Sequence, residues 1–167
     1  MSVTFLGKEI KLVGNIPVKG DKARNFTLSD VNLSKVELKN YNDKNVILNI
    51  FPSIDTPVCA LSSTKFNLEA EKLTDTEVIC ISADLPFALE RFRKEKSLEN
   101  VAFTSFFRSK DFAENYGVVI SEGPLQGLAA RAVIVLDKQQ QVVYSELVSE
   151  VTDEPDYQSA VEAIKGA

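Results

Sequence analysis

The chain has 167 residues, of which 44% are apolar and 26% charged, and its formal net charge at pH 7 is -5. This length and composition predict one globular domain over residues 1–167. The negative charge argues against nucleic acid or an anionic membrane as the main partner. No run of about 18 apolar residues and no basic-then-apolar N-terminal pattern is present, so we expect no membrane span, no signal peptide and a cytoplasmic location.

The predicted elements follow from apolar patterns and from the position of glycine and proline. Gly7-Lys8 is the predicted turn of an N-terminal hairpin, and residues 13–30 are predicted as loop because they contain several breakers. In chain order, the patterns predict strands at 3–6, 9–12, 36–38 and 46–51, a helix at 57–73, a strand at 77–82, a helix at 86–96, a short strand at 101–103, a short helix at 112–116, strands at 130–136 and 142–148, and a helix at about 156–164.

This order of elements defines a fold class. Strands and helices alternate after the N-terminal hairpin, and two adjacent strands and a helix close the chain. Such an order predicts an α/β three-layer sandwich with a mixed central sheet.

The residue inventory excludes several kinds of site. The chain has no histidine and only two cysteines, Cys59 and Cys80. A Ser-His-Asp triad, a Cys-His pair and a histidine metal ligand are therefore impossible, and two thiols cannot complete a four-thiolate zinc or iron–sulfur site. The two cysteines are too far apart for a C-x-x-C pair. We expect no metal and no organic cofactor, so chemistry must use a lone thiolate, carboxylates, Arg, Lys or hydroxyls.

Cys59 has the sequence surroundings of a reactive thiol. The apolar strand at 46–51 ends at Pro52, and Thr56 and Pro57 stand where a helix N-cap and first helical residue belong. Cys59 would then lie in the first turn, close to unpaired N–H groups and the positive end of the helix dipole, where a thiol ionises more easily. We expect an exposed or semi-exposed thiolate that the Thr56 hydroxyl faces and whose pocket Pro52 shapes. The alternative is a buried thiol that only fills space.

Two neighbouring features bear on this interpretation. Cys80 stands among apolar residues of a predicted central strand, so we expect an inert thiol that packs in the core. Asp55 would oppose ionisation of a nearby thiol, so we expect its carboxylate to face solvent or to cap the turn.

The pattern Pro52-x-x-x-Thr56-x-x-Cys59 resembles the active site of the peroxiredoxin family. The string from Phe51 to Cys59 resembles more closely the bacterial thiol peroxidase branch of that family. Further strings resemble the same branch, in family order and over nearly the whole chain: residues 81–88, 123–125, 128–132 and 154–157.

This resemblance implies a thioredoxin-like fold, a homodimer, and reduction of hydrogen peroxide and of alkyl and lipid hydroperoxides. Cys59 would be the peroxidatic cysteine, which attacks the O–O bond and becomes a sulfenic acid. Thr56 would orient the peroxide, and Pro52 would shield the pocket. Arg131 would hold the thiolate and stabilise charge on the leaving oxygen. The alternative for Arg131 is a surface ion pair at the start of a strand.

The sequence departs from the resemblance at Arg93. Most of the branch has a resolving cysteine there, in the second helix after an Arg-aromatic pair; here Arg91-Phe92 is followed by Arg93. We therefore expect no internal disulfide and reduction by thioredoxin or a low-molecular-weight thiol. Two alternatives stay open: a peroxide sensor or redox relay with little sustained turnover, and a thioredoxin-fold protein without peroxide chemistry.

Overall fold

The computed structural model describes residues 1–167. It contains ten strands and four α-helices, with a 3₁₀ turn at Leu38–Tyr41. The strands are β1 (Ser2–Phe5), β2 (Lys8–Val13), β3 (Thr27–Asp30), β4 (Lys35–Glu37), β5 (Asn45–Ile50), β6 (Thr76–Ser82), β7 (Ala102–Ser105), β8 (Val119–Ile120), β9 (Ala132–Leu136) and β10 (Val142–Leu147). The helices are α1 (Pro57–Ala70), α2 (Pro86–Lys96), α3 (Lys110–Asn115) and α4 (Tyr157–Lys165).

The central sheet has seven strands in the order β10-β9-β5-β6-β7-β3-β4, and β1, β2 and β8 form a smaller sheet. β5, β6 and β7 run parallel, whereas the outer strands pair antiparallel, so the sheet is mixed. Every residue of β5 is buried, because alternate side chains enter two different cores. Val46 and Leu48 belong to one core and Ile47 to the other, which explains the continuous apolar run of this strand.

Helices cover both faces of this sheet. Phe66 of α1, Leu89 of α2 and Ala160 of α4 share one apolar cluster with Ile47, whereas Phe112 of α3 packs in the cluster on the opposite face. The predicted thioredoxin-like three-layer sandwich with a mixed sheet and an N-terminal hairpin is therefore confirmed. None of the helices is both long and apolar enough to span a bilayer.

Several local predictions were wrong. Thr27–Asp30 forms β3, although residues 13–30 were predicted as loop, because pairing with β4 and β7 supplies order that the local sequence does not signal. The hairpin turn is Leu6-Gly7, one residue earlier than predicted, and both residues have positive φ. Helix α1 ends at Ala70 rather than at residue 73, because turn-type hydrogen bonds at Lys72 and Leu73 close it.

Candidate active site

The turn between β5 and α1 places Cys59 at a helix start. Thr56 is the N-cap with extended backbone, and Pro57 is the first helical residue. No side chain caps this end of the helix, and the N–H groups of Val58 and Cys59 have no acceptor in the protein. The positive end of the helix dipole is therefore directed at the region around Cys59, an arrangement that favours a negative charge there.

Arg131, just before β9, contacts this thiol. Its Nη2 donates to Cys59 Sγ at 3.2 Å. Its Nε and Nη2 both donate to the Val151 carbonyl at 3.1 Å, and its Nη1 has no partner. The side chain is 1% exposed, so the alternative of a surface ion pair does not describe this arginine. A guanidinium held in this way keeps both N–H groups of Nη1 free to donate.

The sulfur itself is less accessible than the sequence suggested. Cys59 is 0% exposed, so the expectation of an exposed or semi-exposed thiol was wrong. The first turn of α1 packs into the apolar cluster beneath it while Arg131 covers the sulfur. The residues of this cluster come largely from elements remote in the chain, and for that reason the local pattern could not show the burial of Cys59.

Thr56 and Pro52 both lie at the site, but the Thr56 hydroxyl has a different partner from the one expected. It donates to the Ser53 carbonyl at 3.0 Å rather than to Cys59. Ser53 also accepts the Thr56 backbone N–H at 3.1 Å, so the turn is closed by two bonds to one carbonyl. Pro52 is buried and lines the pocket described next.

A pocket of about 350 Å³ opens beside these residues. Its lining is mostly apolar and includes residues from four separate parts of the chain: Phe5, Pro52, Thr56, Leu125, Leu128, Arg131 and Val151. Arg131 is thus common to the pocket wall and to the contact with the Cys59 sulfur. Such a pocket can hold a small molecule with an apolar portion and one polar end near the guanidinium.

Asp84, a residue that the sequence reasoning did not select, holds the turn before α1. Its carboxylate accepts hydrogen bonds from Ser53 Oγ at 2.7 Å, Ile54 N at 2.7 Å and Ser82 Oγ at 2.6 Å. Asp84 follows β6 at the edge of the sheet where β5 also ends, and a carboxylate at the end of a parallel strand was the available signal. Asp55 faces solvent, as expected, and pairs with Arg91 at 2.7 Å.

Cys80 is buried in β6, as predicted. Burial raises the pKa of its thiol to about 11, and the Asn49 side-chain amide donates to its sulfur at 3.6 Å. A thiol in this environment is protonated and weakly nucleophilic at neutral pH.

Arg93 is held within α2 by ion pairs. Its Nε lies 2.7 Å from Glu90 and its Nη1 lies 3.2 Å from Glu99. The second helix therefore presents a charged, paired side chain at the position where the resemblance would place a thiol.

The fold and the site together define a class: thioredoxin-fold proteins with a cysteine in the first turn of the helix that follows β5, a strand next to the central strand of the sheet. Residues 18–161 match the model of the redoxin family. The chain is 45% identical over 157 residues to a thiol peroxidase of Vibrio cholerae, a match that covers 94% of this chain and 96% of that relative. The chain therefore belongs to the redoxin family, in the thiol peroxidase branch of the peroxiredoxins, and it is a thiol-dependent peroxidase, as predicted.

Solved structures support the same assignment. A peroxiredoxin-like protein from Aquifex aeolicus superposes with a TM-score of 0.94 at 37% identity, over 99% of this chain and 96% of that chain. A thiol peroxidase from Chromobacterium violaceum superposes with a TM-score of 0.89 at 28% identity, with the same coverage of both chains. The N-terminal hairpin and the central sheet thus both lie within the matched region.

Proposed function

We propose that Cys59 is the peroxidatic residue of this enzyme. Its thiolate attacks the terminal oxygen of a hydroperoxide, the O–O bond breaks, and the leaving oxygen takes a proton and departs as water or an alcohol. Cys59 is thereby oxidised to a sulfenic acid. The observation that carries this proposal is the 3.2 Å contact between Arg131 Nη2 and the Cys59 sulfur at the uncapped start of α1.

The neighbouring groups have distinct roles in this proposal. Arg131 stabilises the thiolate through Nη2, and its unpartnered Nη1 is available to the oxygen that gains charge as the O–O bond breaks. The free N–H groups at the start of α1 add to the same stabilisation. Thr56, which also lines the pocket, positions the peroxide, and buried Pro52 excludes water.

The pocket supports organic hydroperoxides as substrates in addition to hydrogen peroxide. Because Arg131 both lines the pocket and contacts the sulfur, we propose that the peroxide enters there. The apolar walls formed by Phe5, Leu125 and Leu128 suit the hydrocarbon portion of an alkyl or lipid hydroperoxide.

The reductant comes from outside the chain in this proposal. In α2, Arg93 occupies the position at which most of the branch has a resolving cysteine. Cys80 is buried, and its thiol has a raised pKa. The sulfenic acid at Cys59 would therefore react with thioredoxin or a low-molecular-weight thiol. Thiol attack displaces water and forms a mixed disulfide, and a second thiol then releases the Cys59 thiol.

Peroxide consumption with thioredoxin, its reductase and NADPH, or with dithiothreitol, tests this function. We expect many turnovers for the wild type, none for Cys59→Ser, and nearly wild-type first-step oxidation for Cys80→Ser. Oxidation of Cys59 that stops after one equivalent in both reducing systems would favour the alternative, a sensor or redox relay. Failure of Cys59 to oxidise at all would contradict both.

We also propose a homodimer and a cytoplasmic location. Leu85 and Phe87, at the start of α2 beside Asp84, are 52% and 68% exposed, and large exposed apolar side chains favour an interface with a second copy. Light scattering should give a dimer mass for the wild type and a monomer mass for Phe87→Glu. The free state of both cysteines suits a compartment that keeps thiols reduced.

A further inference from the structure

The segment 149–152, which follows β10, is joined to the N-terminal hairpin by backbone hydrogen bonds of Thr4 and by the side chain of Glu150. One carboxylate oxygen accepts from Thr4 Oγ1 at 2.6 Å and Gly7 N at 3.1 Å. The other accepts from Leu6 N at 2.9 Å, Thr152 Oγ1 at 2.8 Å and Thr152 N at 3.3 Å. No lysine or arginine pairs with this carboxylate, so both of its oxygens serve neutral donors. A carboxamide has only one acceptor oxygen and cannot reproduce this pattern.

The bonds from Leu6 and Gly7 support a strained turn. Leu6 has φ of 51° and Gly7 has φ of 79°. A left-handed conformation is disfavoured for leucine, so the turn needs acceptors for its N–H groups, and a charged acceptor binds them more strongly than a neutral one. Hydrogen bonds, of which that from Thr4 is the strongest contribution, hold the pKa of Glu150 at about 2, and the carboxylate is therefore charged at neutral pH.

The same segment reaches the reactive site. Val151 follows Glu150 directly, and its carbonyl accepts two hydrogen bonds from Arg131. The backbone of Thr4 pairs with both sides of Glu150, since Thr4 N donates to Ser149 O at 2.7 Å and Val151 N donates to Thr4 O at 2.8 Å. Phe5, the next residue of β1, lines the pocket. Arg131 and the pocket wall at Phe5 are thus both connected to the paired backbone of Thr4 and residues 149–151.

We propose that Glu150 is a positioning residue for peroxide reduction, which holds the Val151 carbonyl that orients Arg131 and the Phe5 wall that contacts the organic part of a hydroperoxide. The proposal rests on the proposed role of Cys59. It makes the hairpin a determinant of specificity: loss of the Glu150 bonds weakens reaction with every peroxide through Arg131, and weakens reaction with bulky organic hydroperoxides further through Phe5.

The test compares Glu150→Gln with Glu9→Gln. Glu9 lies on the same hairpin, is exposed and makes no side-chain hydrogen bond or ion pair, so its substitution makes the same charge change without breaking a bond. Quench-flow with intact-mass detection gives the rate constant for Cys59 oxidation by hydrogen peroxide and by cumene hydroperoxide. We expect Glu150→Gln to slow the oxidation of Cys59 about tenfold with hydrogen peroxide and about thirtyfold with cumene hydroperoxide, since small displacements of positioning groups have large rate effects.

Hydrogen exchange at the Leu6 and Gly7 amides gives a second readout, and it should accelerate in Glu150→Gln but not in Glu9→Gln. If Glu150→Gln does not fold, Thr4→Val replaces it, because this variant removes only the hydroxyl donor. Thr4→Val should slow the oxidation of Cys59 by cumene hydroperoxide more than its oxidation by hydrogen peroxide. Equal loss for both peroxides, or unchanged rates, in the folded variant overturns the proposal. If wild type and Glu9→Gln themselves fail to oxidise at Cys59, the proposed function fails instead.

Discussion

Replacement of Arg131 by methionine should slow the first oxidation step far more than it destabilises the fold. Methionine keeps an unbranched side chain of related length in the same space but removes the charge and all donors. Arg131 Nη2 lies 3.2 Å from the Cys59 sulfur, and no other basic side chain contacts it. The variant therefore removes the one cationic group that stabilises both the thiolate and the leaving oxygen in the proposed mechanism.

The size of the expected rate loss in Arg131→Met can be estimated from this distance. Two unit charges 3.2 Å apart interact by about 5 kcal/mol at an effective dielectric constant of about 20. The free N–H groups of Val58 and Cys59 keep part of the stabilisation, so the loss should be smaller than that figure. Removal of one preorganised donor from comparable sites costs about 10²–10³ in rate, or about 2.7–4 kcal/mol. We expect this range for Arg131→Met, and about tenfold for Arg131→Lys, which keeps the charge but not the fork of donors.

The assay is the rate constant for oxidation of Cys59 by hydrogen peroxide at pH 7, measured beside the free energy of unfolding in urea. Arg108→Met is the matched control, because Arg108 is exposed and donates only to the Leu33 carbonyl at 3.4 Å. The free energy of unfolding should fall by no more than about 2 kcal/mol in Arg131→Met, since the chief loss is the two hydrogen bonds to the Val151 carbonyl. A folded Arg131→Met that oxidises within about threefold of the wild-type rate would refute the assigned role of this arginine.

Three further predictions concern Asp84, the oxidation product of Cys59, and Cys80. Asp84→Ala should lower the free energy of unfolding by about 2–4 kcal/mol, because three charge-assisted bonds are lost and the Ile54 N–H loses its acceptor; a loss below about 1 kcal/mol in urea titrations contradicts this. One equivalent of hydrogen peroxide should add one oxygen to the intact mass, since α2 carries Arg93 rather than a thiol, whereas loss of two hydrogens would reveal a disulfide. The raised pKa of Cys80, about 11, means that the folded thiol keeps a proton that the unfolded thiol loses above about pH 8.5. The free energy of unfolding of the wild type should therefore fall relative to that of Cys80→Ala between about pH 8.5 and about pH 11, and parallel pH profiles would show that burial does not perturb this thiol.

The sequence alone determined those features that depend on neighbours in the chain. The start of α1 at Pro57 follows from the preference of proline for the first helical position. Thr56 stands at the N-cap, as its sequence position predicts, although its side chain does not cap the helix. Burial of β5 on both faces and of Cys80 follows from continuous apolar runs. These local preferences predicted the order of the helices and of the strands other than β3 and β8, the three-layer fold and the identity of the candidate thiol.

Tertiary structure decided how that thiol is presented. Cys59 is buried in the apolar cluster on one face of the central sheet. Arg131, which contacts its sulfur, is held by the Val151 carbonyl, a backbone atom that no side-chain pattern can signal. Likewise, β3 is ordered by pairing with neighbouring strands, and Glu150 accepts the N–H groups of the Leu6-Gly7 turn. Each of these features draws its stabilisation from contacts between residues distant in sequence, and such contacts are defined only once the chain has folded.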